Sequence, residues 1–418
     1  MNSKDAQIIF GLTALLIVLV VAGSFLKQTE ETTQEADLLV FSQTEDMMDT
    51  YITVTLYAED QETADTGFQE AFDQFSYVNS IASRFDPNSE LYMLNSQGTL
   101  QSPSPDLVSI IQTSIAYNVI TQGAFDITIL PLLNLWSNPL SLFSIPLSYA
   151  EDLNNSILPQ SLRDEFDTFE PTLYALNESP TISWSDQYQS WTVSSSWQKY
   201  YLLLLEDSIS VTANFWYLPY ESQSVYINET KLLVGSDKIT IDDDSITLFK
   251  GSLLTLDGIA KGYAADLALA KLTDLGFEHA LIDAGGDIAT NGAKPDGSPW
   301  TAALVNPENT SEFLATFELS GQSIATSGNY IRYFDENASA GHILDPISGR
   351  TSEASSSCTI IASNCTVADI LATGVFVLGP EVGIDVVEGL LEIEAMVLAF
   401  DNPQDMSFSE GISQFYGL

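Results

Sequence analysis

From about residue 48 onward, apolar and polar positions alternate with two different periods. Tyr51 to Tyr57 places β-branched and aromatic residues at every second position, the pattern of a half-exposed strand. Thr66 to Ala82 and Asp106 to Thr121 repeat apolar residues at helical spacing. Ile239-Thr240-Ile241 and Ser245 to Phe249 flank Asp242-Asp243-Asp244 as the arms of a hairpin would. Gly262 to Leu275 reads as an amphipathic helix stopped by Gly276, which puts Lys261 at a helix N-terminus. Ala280 to Asp283 and Ile288 to Thr290 bracket Gly285-Gly286 as two short strands joined by a tight turn. The last third alternates strands with one helix, Thr366 to Leu378. The class is α+β: strands and helices do not alternate regularly enough for a doubly wound sheet, and no repeat of fixed period is visible.

The pattern is different ahead of this body. Ile8 to Leu26 is an uncharged apolar run preceded by Lys4 and followed by Lys27. It is long enough to span a bilayer. A signal peptide cut near Val20-Val21-Ala22 is the alternative, and the length of the run favours an uncleaved anchor over 1–26. Residues 27–46 are polar and acidic and read as a flexible tether. Residues 47–418 form the expected folded domain, within which about 138–224 changes character. It is dense in aromatic residues and has only Arg163 and Lys199 as basic residues, the mark of an inserted or diverged region.

Charge narrows the partners. The 418 residues carry 57 Asp and Glu against 13 Lys and Arg, a net charge of −44. Such a field repels nucleic acid and anionic lipid headgroups, so a nucleic-acid protein is excluded. It also means that any anionic ligand needs a local cation. The six Asn-x-Ser/Thr triplets, at Asn154, Asn177, Asn228, Asn309, Asn337 and Asn364, are compatible with export. Cys358 and Cys365 are the only cysteines. The strand pattern between them would hold their sulfurs too far apart for a disulfide, so free, part-buried thiols are expected. Two cysteines and two histidines cannot make a zinc site of standard type.

Candidate chemistry gathers late in the chain. Asp257-Gly258-Ile259-Ala260-Lys261-Gly262 sets a lysine between glycines at a helix start, where free N–H groups face an anion. Neither this turn nor Ala284-Gly285-Gly286-Asp287-Ile288 has the spacing of a P-loop or a dinucleotide loop. Asp369 and Thr373 lie one turn apart on one face of a helix and offer two hard oxygen ligands suited to Mg2+ or Ca2+; the bland reading is a capping residue and a buried threonine.

These segments, with Ser83 to Glu90, Asn95, Gly123 to Thr128, Thr326-Ser327-Gly328 and His342-Ile343-Leu344-Asp345-Pro346, occur in the order found in the ApbE family of FAD:protein FMN transferases. The chain resembles that family from about Met48 to its C-terminus. The resemblance implies a T-fold-related mixed sheet domain that takes FAD as substrate and uses Mg2+. It implies metal binding by Asp369, Thr373 and the backbone of Gly258. Flavin nucleotide contacts would come from Met48, Phe85, Ala124, Phe125, Asp126, Thr255, Lys261 and Ile343. His342 leads as general base, with Asp345 in reserve, while His279 is read as structural.

Three departures from the family pattern stand out. Asp49 replaces a glycine, Thr255 replaces an aspartate whose contact Asp257 could remake, and Gly341 replaces the first of two histidines. No cysteine follows the apolar run, so the lipid-modified N-terminus common among exported relatives is excluded. The implied reaction moves FMN from FAD to a threonine or serine hydroxyl of an exported or membrane-bound electron-transfer protein, on the outer side of the cytoplasmic membrane, and releases AMP. Hydrolysis of FAD to FMN and AMP is the alternative for the same site. A non-catalytic flavin-binding protein is the other class, and it would have no need of Asp369 or Thr373.

Overall fold

The structure, a computed structural model, describes residues 38–146, 182–185, 190–193, 200–204, 208–218, 220–306, 309–329, 333–334 and 340–416. Its elements run β1 (Leu39–Met47), β2 (Thr50–Ala58), α1 (Gln61–Ala82), α2 (Glu90–Gln97), β3 (Thr99–Gln101), α3 (Pro105–Ile120) and α4 (Leu130–Ser137). There follow β4 (Pro139–Pro146), β5 (Ile182–Ser185), β6 (Ser190–Val193), β7 (Tyr200–Leu204), β8 (Ser208–Asn214) and α5 (Tyr220–Thr230). After them come β9 (Ile239–Asp242), β10 (Ser245–Leu248), α6 (Ala260–Asp274), β11 (Ala280–Ala284), β12 (Ile288–Asn291), β13 (Trp300–Asn306) and β14 (Asn309–Leu319). The chain closes with β15 (Ser323–Gly328), β16 (Ser355–Ala362), α7 (Cys365–Leu378), α8 (Pro380–Glu388), β17 (Glu394–Ala399) and β18 (Met406–Phe408).

The described residues divide into two compact units. The larger takes in 38–130, 233–333 and 341–416 and is organised by an eight-stranded sheet in the order β1-β2-β11-β12-β15-β16-β17-β18. Every pairing in it is antiparallel, which corrects the expected mixed sheet: each strand runs opposite to its neighbour, whether a tight turn, the β13–β14 hairpin or helices lie between them. Side chains alternate across the sheet as the period of two requires. Ile52, Val54, Ile282 and Ala284 join Ala64, Phe68, Ala264 and Ala268 of α1 and α6 in one core, and Ala325, Ile360 and Val397 pack with α7 residues in another. On the opposite face Leu281, Ile324, Ile361 and Leu398 pack with Trp300, Leu304, Phe317 and Leu319 of the β13–β14 hairpin.

The smaller unit comprises the described residues of 131–232 with Phe334 and Ala340. Its sheet is antiparallel in the order β4-β8-β7-β6-β5. Its core centres on Phe215, which is fully buried and meets Trp136 edge to face at 5.0 Å between ring centroids.

Two expectations fail in instructive ways. The tether was expected to run to Asp46, yet Leu39–Met47 is an edge strand paired with β2 over its whole length. Its side chains are mostly exposed, so no buried stripe marks it in the sequence. The ladder to β2, the packing of Phe41 and Met47 on the core, and hydroxyl pairs hold it, Ser42 with Thr55 at 3.0 Å and Thr44 with Thr53 at 2.9 Å. The cysteines are free, as expected, but fully buried rather than partly. The apolar run Ile8 to Leu26 lies outside the described residues, and among those described no helix is long and apolar enough to cross a membrane.

The β1–β2 connection is two residues long, and both Met48 (φ 52°) and Asp49 (φ 58°) are left-handed. A two-residue hairpin turn of this hand matches the twist of its strands and requires positive φ at both positions. Asp49 therefore takes the conformation that the family's glycine would supply, and aspartate is among the few side chains that tolerate it. Asp49→Val should lower stability by about 1–2 kcal/mol, and Asp49→Gly should not. Denaturant unfolding of both variants checks this, and equal losses would show that the handedness of the turn does not set the cost.

Candidate functional site

One end of the eight-stranded sheet collects the segments that carry the candidate chemistry. Ala284 at the end of β11 pairs with Ile52 near the start of β2, and Ile288 at the start of β12 pairs with Ile324 on β15. The β1–β2 turn, the Gly285-Gly286 turn and the C-terminal end of β15 therefore share that end. Gly285 (φ 69°) and Gly286 (φ 102°) both have positive φ, and Thr50 Oγ1 lies where a side chain on Gly285 would be. Only glycine suits that position, which brings the Met48-Asp49-Thr50 segment against the Gly285 turn.

The centre of the site is the crossing of α6 and α7. Alanines at 264, 265 and 268 give α6 a narrow buried face, and a Cβ on Gly262 would lie 2.8 Å from the Cys365 carbonyl carbon. The helices consequently touch backbone to backbone. Each caps the other. Asp266 of α6 accepts hydrogen bonds from the Cys365 and Thr366 backbone N–H groups at 2.8 Å each, and Asp369 of α7 accepts one from Gly262 N–H at 3.1 Å. Helix N-termini carry unsatisfied N–H groups and attract negative charge, so both contacts are favourable. Asn364 completes the start of α7 by accepting from Val367 N–H at 2.9 Å.

Lys261, on the first turn of α6, reaches into this crossing. Its Nζ is hydrogen-bonded to Asp287 Oδ2 and stands 3.8 Å from Asp369 Oδ2. Burial works against its charge, but the two carboxylates outweigh that and hold its pKa above the ordinary lysine range. Burial, aided by the neighbouring Asp287 charge, pushes Asp369 upward, while Lys261 and the Gly262 N–H oppose the shift. Asp283 is raised to about 6, first by burial and then by Asp287, against the Gly286 N–H that it accepts at 2.8 Å.

The other expected residues fall into groups around this centre. Gly258, Phe125 and Thr373 meet: a Cβ on Gly258 would lie 3.2 Å from the Phe125 ring and 3.3 Å from Thr373 Oγ1. Thr373 Oγ1 is also 3.2 Å from Ser327 Oγ at the end of β15. Ala124 and Phe125 are buried, and Asp126 turns its carboxylate onto the Thr128 N–H and hydroxyl at 2.8 and 2.6 Å. Asn95 clamps Leu254 by a reciprocal pair of hydrogen bonds at 2.7 and 2.8 Å, which fixes the approach to buried Thr255. Asp257 ion-pairs with Arg84 at 3.0 Å. Phe85 is 61% exposed, with the Arg84 guanidinium 4.0 Å from its ring centroid; it is not a core residue.

His342 and Ile343 are half-buried on the segment after Gly341. Gly341 has no room for a side chain, because its Cβ would meet the Asn329 side chain at 2.5 to 2.7 Å. The first histidine of the family's pair is therefore excluded by Asn329. Asp345 serves its own turn, accepting from Ile347 and Ser348 N–H at 2.8 and 3.1 Å. His279 binds the Ala293 carbonyl and meets Tyr57 edge to face.

Sequence reasoning missed the roles of Asp266 and Asp287 as the carboxylates that organise the crossing. The signal was present in part: Asp287 lies within a motif already singled out and Asp266 on the helix that follows Lys261, and a scarce lysine next to a helix start needs an acidic partner.

Among the described residues no group of three or more His, Cys, Asp or Glu side chains could hold a metal ion. The set that fits a hard dication here is mixed: the Asp369 carboxylate, the Thr373 hydroxyl, and the backbone oxygen of Gly258, a residue on which a side chain would meet Thr373 Oγ1 at 3.3 Å. The donor chemistry and the close approach of Gly258 to Thr373 agree with such an ion.

The sequence profile of the ApbE family matches residues 48–179 and 190–397. The chain belongs to the ApbE family. The match takes in most of 138–224. Among its relatives is the FAD:protein FMN transferase of Haemophilus influenzae, 26% identical over 323 residues that cover 74% of this chain and 72% of the relative. The protein of the same name from Vibrio cholerae is 25% identical over 318 residues, covering 74% and 73%. The solved structure of the flavin transferase ApbE from Vibrio cholerae superposes with a TM-score of 0.62 at 21% identity, covering 90% of this chain and 99% of that one. The ApbE protein of Thermotoga maritima gives 0.66 at 21% identity, covering 91% and 100%. These two structures share the ApbE fold with this chain.

The raised Asp283 sets a pH signature. Its folded-state pKa of about 6 lies above the ordinary aspartate range, so the folded protein holds the proton more tightly than the unfolded chain. This contribution favours folding below pH 4 and is lost as pH rises toward 6. Asp283→Asn should remove that loss, gaining on wild type by up to a few kcal/mol between pH 4 and 7. Denaturant unfolding across that range measures the difference, and a gap that stays constant with pH would contradict it.

Proposed function

We propose that this protein is an FAD:protein FMN transferase that takes FAD and Mg2+ and links FMN to a threonine or serine hydroxyl of an acceptor protein, with release of AMP. The observation that carries the reading is the convergence of Lys261, Asp369, Thr373 and Gly258 at one helix crossing, in a chain whose relatives from Haemophilus influenzae and Vibrio cholerae bear that activity in their names.

In the reaction the acceptor oxygen forms a bond to the phosphorus attached to riboflavin. The bridging P–O bond breaks, and AMP leaves with its electron pair. The dication held by Asp369, Thr373 and the Gly258 carbonyl would offset charge on the pyrophosphate. Lys261 adds a second cation at the N-terminus of α6, the end of the helix dipole that favours an anion. Phe85 presents an exposed ring beside the Arg84–Asp257 pair for the flavin to stack on. Met48 lies in the turn held against Gly285, and Ile343 beside His342, as further flavin contacts. Ala124, Phe125, Asp126 and Thr255 form the wall of the nucleotide site. The hydroxyl proton passes to His342, since imidazole is the side chain best suited to accept one near neutral pH and both Asp345 oxygens are committed to backbone N–H groups.

Incubation with FAD, Mg2+ and an exported electron-transfer protein as acceptor tests the reading. The expected outcome is an acceptor heavier by one FMN less water, with one AMP released per group transferred and none of either in chelator. AMP and free FMN with no mass gain on the acceptor would assign the site to hydrolysis, and binding of FAD with no AMP would leave a flavin carrier.

The acceptor class implies a location. The uncharged run Ile8 to Leu26 and the acidic body support a single-pass anchor in the cytoplasmic membrane with residues 27–418 on its outer side. Protease added to intact cells should then digest the domain. Digestion only after lysis would place it in the cytoplasm.

A further inference from the structure

The ion pairs around Lys261 are unbalanced. One ammonium serves two carboxylates, Asp287 and Asp369, each 4% exposed, and the lysine side chain is itself only 27% exposed. The sharing is unequal: Asp287 takes the hydrogen bond, while Asp369 Oδ2 is 3.8 Å from Nζ and turns to the Gly262 N–H. A buried carboxylate without a cation nearby is strongly disfavoured, so Lys261 acts as the counter-ion of Asp369 whenever no dication is bound. A dication on Asp369 would repel an ammonium at that distance in a poorly solvated site. Lys261 must then have another partner to hold it, and Asp287 stands there already.

We propose that Asp287 is a positioning residue of the metal site: it draws Lys261 off Asp369 and so sets how readily a dication displaces the lysine from that carboxylate. The inference rests on the reading of Asp369 and Thr373 as metal ligands. It gives the site two charge states. Without a dication the three side chains carry one more carboxylate than ammonium and repel a pyrophosphate; with one bound the excess is positive, and the ligand is admitted. Asp287 lies at the tight Gly285-Gly286 turn, and its carbonyl accepts from Ala284 N–H at 2.8 Å. Its carboxylate is thereby fixed at the position where the lysine is received.

The test measures the affinity of Mn2+ alone, a hard dication suited to the same oxygen donors, by the electron paramagnetic resonance of the free ion, with no FAD present. The proteins are wild type, Lys261→Met, Asp287→Asn and the double variant. Lys261→Met removes the competitor and should tighten Mn2+ binding by about tenfold, whereas Asp287→Asn leaves the lysine to Asp369 and should weaken it by about tenfold. Because any charge change alters the local field, coupling decides the matter. In the Lys261→Met background, Asp287→Asn should weaken binding by no more than about twofold, since the residue acts through the lysine. Additive effects in the cycle would overturn the proposal and leave a simple field effect. Lys261→Gln, which keeps a donor toward Asp287, provides a second cycle should Lys261→Met fail to fold. Absence of Mn2+ binding to the wild type would overturn the metal reading itself, and the proposal with it; binding with an additive cycle overturns the proposal alone.

Discussion

The site depends on the reciprocal capping of two helices. Asp266 of α6 receives the first N–H groups of α7, and Asp369 of α7 receives the Gly262 N–H of α6. Neither helix can shift along the other without exposing buried carboxylate charge or orphaning a backbone donor, each a penalty of order 1–3 kcal/mol. The absence of a side chain at Gly262 lets the backbones meet. From that contact follow the placement of Lys261, the burial of Asp369 and the alignment of Thr373 one turn further along α7.

The sheet supplies the rest of the frame. Antiparallel register brings the β1–β2 and β11–β12 turns and the end of β15 to one edge of the structure, so a short run of strands delivers Met48, Asp287 and Ser327 to the same neighbourhood. In a protein of net charge −44 such a place must make its own positive potential. A lysine locked among carboxylates holds a cation in the site at little risk of deprotonation, because those carboxylates outweigh the effect of its burial. The same arrangement explains why the lysine cannot serve an anion alone: it is already engaged by two acidic side chains.

Much of this was legible in the chain before any coordinates. Long periodic segments announced α1, α3, α6 and α7 to within a few residues, because burying one face of a helix leaves a stripe that composition cannot hide. The strand β1 was not legible, since most of its side chains are exposed and only Phe41 and Met47 pack on the core, too few to mark a stripe in Leu39–Met47. The turn at Met48-Asp49 was legible as a departure from the family and opaque as geometry: whether aspartate could replace glycine depended on a φ angle. Gly341 was read as a lost histidine. The structure adds the cause, a buried Asn329 side chain seated where the missing group would project, and sequence separation of twelve residues gave no hint of that contact. The residues expected to touch ligand or metal were named from the resemblance to the family, while Asp266 and Asp287, which act on other residues of the crossing, became visible only as hydrogen bonds.

In the proposed mechanism the α6–α7 crossing holds a dication on Asp369, Thr373 and Gly258 while Lys261 rests on Asp287. The most direct measurement is anomalous diffraction from crystals grown with Mn2+ and FAD. One strong manganese peak is expected, bounded by the Asp369 carboxylate, the Thr373 hydroxyl and the Gly258 carbonyl, with the Lys261 ammonium on Asp287 and the isoalloxazine ring against Phe85. A peak elsewhere, or FAD bound with Lys261 still shared with Asp369 and no metal beside it, would contradict it.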